Sequence, residues 1–275
     1  SDGSIAANIN LSFDEKGRVK ENYTIRGSVK KAKLNILNQF KLQNLNFNFD
    51  IANNIYSLKR IDTMLNDIKI TSSLIEIIKN ETSFFVNGQF LNKKKIFEIQ
   101  EFKKIFDNVF NNLNIQKIEF SSKNKFSFNF NESLKFDNFK FESNIDLNQL
   151  IFNEKNLKLK PYFPSFIEEI KLKGHKIVIN YNKNKLNING RGNISLEDKS
   201  DNLSYQIIKD NRSLSFDSKI ALKNNSLLID FLDYEKKEGL SSLISVKGVF
   251  KENNGLRFDL INLKENIEYI IKSIN

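Results

Sequence analysis

The feature that most constrains this chain is a strict alternation of apolar and polar residues, renewed in segment after segment. Successive side chains of a β-strand point to opposite faces, so a period of two assigns one set of residues to one face of a sheet. Ile9, Leu11 and Phe13 alternate with Asn10 and Ser12, and Leu45, Phe47, Phe49 and Ile51 alternate with Asn46, Asn48 and Asp50. Phe126, Phe128 and Phe130 flank Ser127 and Asn129, while Leu214, Phe216, Ile220 and Leu222 keep one parity. Each run reads as a strand with one wet and one dry face, the pattern of an antiparallel sheet rather than of buried parallel strands. Turn-forming residues separate the runs at 14–17, 182–185, 224–225, 236–239 and 253–255, where Asn and Gly tolerate the positive φ of hairpin connections.

A four-fold echo runs through this pattern. Tyr23-Thr-Ile-Arg-Gly27, Phe84-Phe-Val-Asn-Gly88, Leu186-Asn-Ile-Asn-Gly190 and Ile244-Ser-Val-Lys-Gly248 share an apolar residue, a β-branched residue two places on, and a glycine two places after that. An apolar residue returns at Val29, Phe90 and Phe250, whereas Gly192 takes that place in the third copy. The glycines therefore share the dry parity, consistent with a bulge or a close backbone approach. Their spacings of 61, 102 and 58 residues suggest a unit of several strands, repeated with an insertion. A looser echo links 42–49 with 134–141.

One segment breaks the period. Over 93–112 the apolar positions Ile99, Phe102, Phe106 and Val109 step by three and four, which predicts an amphipathic helix capping an end or edge of the sheet. Shorter helical patterns occur at 58–65, 164–170 and 263–274. The expected organisation is mainly β: a sheet segment over 1–92, a helical insertion over 93–113, a second sheet segment over 114–262, and a C-terminal helix or tail over 263–275, together one continuous domain.

The chain offers little for catalysis. Cysteine is absent, which excludes disulfides, thiolate metal sites and cysteine nucleophiles. His175 is the single histidine, so a two-imidazole metal site cannot form, and its place at a strand entrance reads as structural or superficial. Glu168 and Glu169 are sequence neighbours and do not face one another as an acid/base pair. Gly190-Arg-Gly192 is a fragment of a dinucleotide-binding pattern without the helix that would follow. The expectation is a protein that is not an enzyme, with no metal and no cofactor.

The formal charge of +10 suits either nucleic acid or an anionic membrane. The lysines are scattered over the polar side of nearly every segment, the Lys236 and Lys237 pair included, and read as solvated surface. Arginine, the usual base and phosphate reader, is scarce. The phenylalanines take the parity opposite to the lysines, which argues against bases stacking on them, so no nucleic-acid partner is expected. No stretch approaches the ~18 apolar residues of a membrane span, and no charged-then-apolar stretch resembles a signal peptide. The only methionine is Met64, and the chain reads as an excerpt of a longer one whose anchor lies elsewhere.

A long one-sided sheet can pack on a second layer, close into a barrel, or stay open so that its dry face lines a groove. The strands ending in apolar-x-Ile/Val-x-Gly, the phrase Asn44-Leu-Asn-Phe-Asn-Phe-Asp50 and the Asn-rich amphipathic hairpins resemble the AsmA-like family of bacterial envelope proteins, the group with TamB and YhdP. That resemblance implies a bridge-like lipid transfer protein. Its curved, open, taco-like antiparallel sheet would carry phospholipid through the periplasm between inner and outer membranes, supporting outer-membrane biogenesis. The anchor in the inner membrane, and the contacts with both membranes, would lie in parts of the parent chain outside this one. The acyl chains would then lie along Ile9, Leu11, Phe13, Leu45, Phe47, Phe49, Ile51, Phe126, Phe128, Phe130, Leu186, Ile188, Leu214, Phe216, Val246 and Phe250, with the repeat glycines Gly27, Gly88, Gly190 and Gly248 on the same parity. The alternative is a closed β-sandwich or solenoid, a structural or adhesive module with a dry interior and no ligand.

Overall fold

A computed structural model describes residues 3–20, 22–36, 40–66, 68–97, 114–153, 158–196, 199–251, 255–265 and 268–274. Strands follow one another in chain order: β1 (Ser4–Asn10), β2 (Thr24–Ile36), β3 (Phe40–Ala52), β4 (Ile55–Leu65), β5 (Ile68–Lys79), β6 (Ser83–Phe97), β7 (Asn114–Asn131) and β8 (Phe136–Asn153). Then come β9 (Glu169–Asn182), β10 (Lys185–Ser195), β11 (Ser200–Lys209), β12 (Ser213–Leu222), β13 (Leu227–Ile229), β14 (Tyr234–Lys236), β15 (Ser242–Lys251), β16 (Gly255–Lys264) and β17 (Glu268–Ile274). One 3-10 turn, Asp230–Leu232, joins β13 to β14. β1 to β12, β15, β16 and β17 form a single 15-stranded sheet in sequence order, with β1 and β17 at its two ends; β13 and β14 pair only with each other. The sheet is therefore an open antiparallel meander.

Local chemistry explains the meander. Asn53 and Asn54 (φ 49° and 63°) between β3 and β4, and Lys183 and Asn184 (φ 48° and 62°) between β9 and β10, supply the paired positive φ values of tight hairpin turns. A second device keeps the dry face continuous. Val29 and Ala32, Leu42 and Leu45, Leu58 and Ile61, Phe136 and Phe139, and Leu172 and His175 are each three residues apart, and the second residue between them has positive φ: Lys31, Asn44, Arg60, Asn138 and Gly174. Each such step inserts one extra residue, a β-bulge that returns the next apolar residue to the face of the last. In β2 and β3 the bulges are stitched by side chains, since Asn46 Oδ1 accepts the Lys31 N–H at 3.0 Å.

These bulges correct one expectation directly. Residues 58–65 are strand β4, because the three-residue step from Leu58 to Ile61 is a bulge at Arg60 and not a helical turn. Residues 164–170 form no helix either: the turns at Leu159 and Phe163 end at Glu168, whose φ of 62° breaks any helix, and Glu169 opens β9. The expected C-terminal helix is also absent. Leu263 and Lys264 close β16, and Glu268–Ile274 pairs with it as β17, setting Ile261 opposite Ile271 and Leu263 opposite Tyr269, so ladder pairing prevails over the three-four spacing. Of the insertion at 93–113, residues 93–97 continue β6, and 98–113 lies outside the described residues. Among the described residues no helix is long and apolar enough to cross a membrane.

The chain divides into two compact units, Ser1–Lys93 with Ser122–Ser143, and Lys94–Ser121 with Asn144–Asn275. In the first, Val29, Ile61, Ile68 and Val86 are buried, and so is a polar ladder on β6, β7 and β8. There Ser143 Oγ donates to Asn124 Oδ1 (2.7 Å), Asn124 Nδ2 donates to Ser122 Oγ (2.8 Å), and Ser122 Oγ donates to Asn92 Oδ1 (3.0 Å). In the second unit, Phe163, Phe166, Ile170, Leu196, Leu222, Leu227, Tyr234 and Leu263 form one core under the β13–β14 hairpin. Lys236, expected as surface, is fully buried there. Its ammonium donates to the carbonyls of Asn225 (2.6 Å), Lys237 (3.2 Å) and Lys223 (3.3 Å). A charge can be buried when its donors are matched, and the nearby Asp201 supplies the opposite sign.

Candidate functional site

The ladder registers test whether the apolar parities of successive strands coincide. In the first unit Ile9, Ile25, Ile51, Tyr56, Ile77 and Val86 stand opposite one another in turn from β1 to β6. The next row runs Ala7, Gly27, Phe49, Leu58, Ile75 and Gly88 over the same strands. Val29 faces Phe47, and Ala32 faces Leu45 beyond the bulge. Rings of β6, β7 and β8 extend the same face: Phe84 stacks on Phe130 at 4.7 Å, Phe126 lies 6.1 Å from both Phe90 and Phe128, and Phe128 lies 5.7 Å from Phe136.

The second unit repeats the arrangement. Ile179, Ile188, Ile207, Phe216, Gly248 and Phe258 form one row from β9 to β16. Leu214 faces Phe250, and Val246 faces Ile261. The apolar surface is not unbroken, because Lys209 stands between Leu186 and Leu214, and Ser218 between Tyr205 and Val246.

Of the residues expected to line the dry face, Leu45, Phe47, Phe49, Ile51, Phe126, Phe128, Phe130, Leu186, Ile188, Leu214, Phe216 and Val246 are half-buried, while Ile9 (60%) and Phe250 (45%) are exposed. None is sealed. Leu11 and Phe13 fall in the connection after β1, where Phe13 makes an isolated bridge with Val19, so neither joins a row.

The repeat glycines have a common environment that the sequence only half revealed. Phe49 lies over Gly27, Phe126 over Gly88, Tyr205 over Gly190 and Phe216 over Gly248, each ring coming from another strand. A Cβ on Gly190 would lie 2.2 Å from Tyr205 Cζ, and one on Gly27 would lie 2.4 Å from Phe49 Cζ. The glycines thus seat rings flat against the sheet, filling the place of a side chain with an aromatic from the next strand. His175 does the same to Gly192, with Cδ2 at 2.3 Å from the ideal Cβ. Its ring is fully buried, Nε2 meets the Asn193 carbonyl at 2.9 Å, and burial holds the imidazole below its usual pKa, against that carbonyl's opposing pull. Burial likewise raises the Tyr205 phenol.

The polar ladder was missed. Asn92 and Asn124 continue the parities of Phe90 and Phe126, and Ser143 that of Phe141, so the dry face gives way locally to buried amides and hydroxyls. A change from Phe to Asn at constant parity was the available signal. The wet face carries the ionic groups. Arg26 (3.4 Å) and Lys59 (2.5 Å) both pair with Asp50, whose carboxyl is lowered chiefly by the Lys59 hydrogen bond. In the second unit a hollow of about 470 Å³ is lined by polar Lys176, Arg191, Asn202, Ser204 and Lys219 together with Leu203, Ala221, Leu243 and two glycines, with Lys176 held to Asp146 at 2.6 Å. Among the described residues no cluster of three His, Asp or Glu side chains could hold a metal ion. Comparison of the chain with family models, with curated proteins and with solved structures gives no match.

Proposed function

We propose that this chain is a segment of a periplasmic lipid-transfer protein, in which the apolar face of the open sheet lines a groove for phospholipid acyl chains while headgroups stay in water along its margin. The observation that carries this reading is the coincidence of apolar rows across successive strands in each unit, on residues that are half-buried or exposed rather than sealed. Soluble proteins rarely leave contiguous apolar surface of this extent uncovered. Each buried methylene contributes about 0.8 kcal/mol, so an acyl chain burying ten of them gains about 8 kcal/mol without any polar recognition. Rows of similar Ile, Leu and Phe side chains make neighbouring positions nearly equal in energy, which favours movement along the face. The resemblance to AsmA-like envelope proteins supports the periplasm as location and the two membranes as donor and acceptor, with an inner-membrane anchor in another part of the parent chain.

A closed sandwich needs a second sheet of similar extent, and among the described residues the second sheet consists of the three-residue strands β13 and β14. Purification without detergent, followed by native mass spectrometry, separates the two readings: co-purified phospholipid supports the groove and a clean apo mass supports the closed module. The triple variant Phe47→Asp, Phe128→Asp, Ile188→Asp is expected to retain its β-sheet circular dichroism and lose the lipid. Full lipid content in that variant would exclude the apolar face as the binding surface.

A further inference from the structure

Directly opposed residues of an antiparallel ladder hold their side chains close together, and like charges placed so repel. In the main sheet from β9 to β16 the described residues follow this rule with one exception. Asp217 stands opposite Lys247 and pairs with it at 2.9 Å, and the other lysines and arginines face neutral residues. Lys176, however, stands opposite Arg191, and the same row continues through Ser204 to Lys219, so three exposed cations share the wet face of four successive strands. Asp146 neutralises Lys176 at 2.6 Å. Among the described residues neither Arg191 nor Lys219 has an ion-pair partner.

These three side chains line the hollow of about 470 Å³, a volume within the range of about 300–1,000 Å³ typical of small-molecule sites. The hollow lies where the ladder slips between Arg191 and Asn193; Gly174, in that bulge, has φ 63°, and a Cβ there would meet nothing within 4 Å. Ala221 and Leu243, directly opposed in the adjoining row, give it an apolar wall. We propose that the hollow binds a phosphate monoester, with the phosphate between Arg191 and Lys219, the Ser204 hydroxyl between them as a further donor, and the organic part against Ala221 and Leu243. A carboxylate brings a single charge, whereas a phosphate monoester brings about −1.5 to −2 and three acceptor oxygens, which matches two cations left without partners. The planar guanidinium can hold two of those oxygens side by side. The site is on the face opposite the rows of Ile, Leu and Phe, so it stands or falls independently of the acyl groove.

Two probes distinguish a soluble monoester from a lipid headgroup: glycerol 3-phosphate in calorimetric titration of the whole chain at low salt, and flotation with phosphatidylcholine vesicles carrying phosphatidic acid. Saturable binding of either is expected, with a Kd of about 1 mM or tighter. Heat with glycerol 3-phosphate and no flotation assigns the site to a soluble ligand, and flotation without heat assigns it to a lipid headgroup. The double variant Arg191→Gln, Lys219→Gln should weaken binding at least about tenfold, because charge-assisted hydrogen bonds are lost. A variant of equal charge loss at the β9–β10 turn, Lys183→Gln with Lys185→Gln, should bind as the parent does. Without ligand, Arg191→Gln should raise the urea midpoint, since it removes the opposed cation, so a loss of binding is separable from a loss of folding. Absence of saturable binding by both probes, equal weakening in the two double variants, or a lowered midpoint in Arg191→Gln would each overturn the proposal.

Discussion

Replacing the repeat glycines by alanine tests whether they serve as seats for rings, because the structure assigns different obstacles to different copies. At Gly190 the three nearest atoms to an added Cβ are Cζ, Oη and Cε2 of Tyr205, at 2.2, 2.4 and 2.6 Å. Carbon atoms pack at about 3.5–4.0 Å, so the ring must retreat by about 1.3 Å. Those atoms are the far end of one side chain, which can swing. Overpacking of this kind costs about 1–3 kcal/mol, and alanine returns about 0.5–1 kcal/mol of backbone entropy, so Gly190→Ala should destabilise by about 1–2 kcal/mol. At Gly27 the nearest atom is the backbone carbonyl oxygen of Ala6, at 2.3 Å, with Phe49 Cζ at 2.4 Å behind it. A ring can turn aside, but a carbonyl held in the β1–β2 ladder cannot, so Gly27→Ala should cost about 3 kcal/mol or more and loosen that pairing.

The discriminating measurement is a pair of double-mutant cycles read by urea denaturation, with hydrogen exchange reporting each strand pair separately. Tyr205→Ala should relieve most of the Gly190→Ala clash, giving a coupling of about 1 kcal/mol or more. Phe49→Ala should relieve little of the Gly27→Ala clash, since the Ala6 carbonyl remains. Gly174→Ala serves as a control: its Cβ meets nothing within 4 Å, but its φ is 63°, so it should lose about 1–2 kcal/mol from backbone strain alone. Equal relief in both cycles, or single variants within about 0.5 kcal/mol of the parent, would refute the ring-seat account.

Three further outcomes are expected. His175 is buried with its pKa below the ordinary 6.5, so the stability it confers is complete above about pH 6.5 and is lost as pH falls through that value towards the lower folded pKa. The slope is at most about 1.4 kcal/mol per pH unit, and His175→Gln should flatten the urea midpoint between about pH 6.5 and 5. Burial pushes the Asp201 carboxyl up, yet the N–H groups of Asn224, Lys223 and Asn225 and the Asn225 amide together hold it below the usual carboxylate value. Its contribution is therefore present at neutral pH and lost as pH falls through the unfolded value of about 3.9; Asp201→Asn should cost about 1.5–3 kcal/mol at pH 7 and accelerate amide exchange at 223–225. Lys236→Met leaves three carbonyls without their donor and should cost about 3 kcal/mol or more, measured as a lower urea midpoint for the second unit.

The faces of this sheet were legible because period two is a property of the chain itself, and where a run such as 47–51 stays in phase the registers carry its apolar parity into the neighbouring strand. What escaped was the way phase is kept over longer strands. Val29 to Ala32, Leu42 to Leu45, Leu58 to Ile61, Phe136 to Phe139 and Leu172 to His175 are steps of three, and a step of three is also how a helix keeps its face, so residues 58–65 read wrongly. The second of the two enclosed residues separates the two cases in part. Asn44, Asn138 and Gly174 belong to the residue types that enter the left-handed region most readily, whereas Lys31 and Arg60 give no such sign and are held there by the sheet. Burial of Lys236 was invisible for a different reason, since its three acceptors are carbonyls brought together only by the β13–β14 hairpin and the turn after β12. The glycine seats lie between these extremes: the motif Leu-Asn-Ile-Asn-Gly190 announces a close approach, but the ring that makes it comes from Tyr205, and only the ladder register pairs the two. Local period and turn chemistry thus determine which face a residue takes, while the identity of its neighbour on that face is set by register, which the bulges adjust one residue at a time.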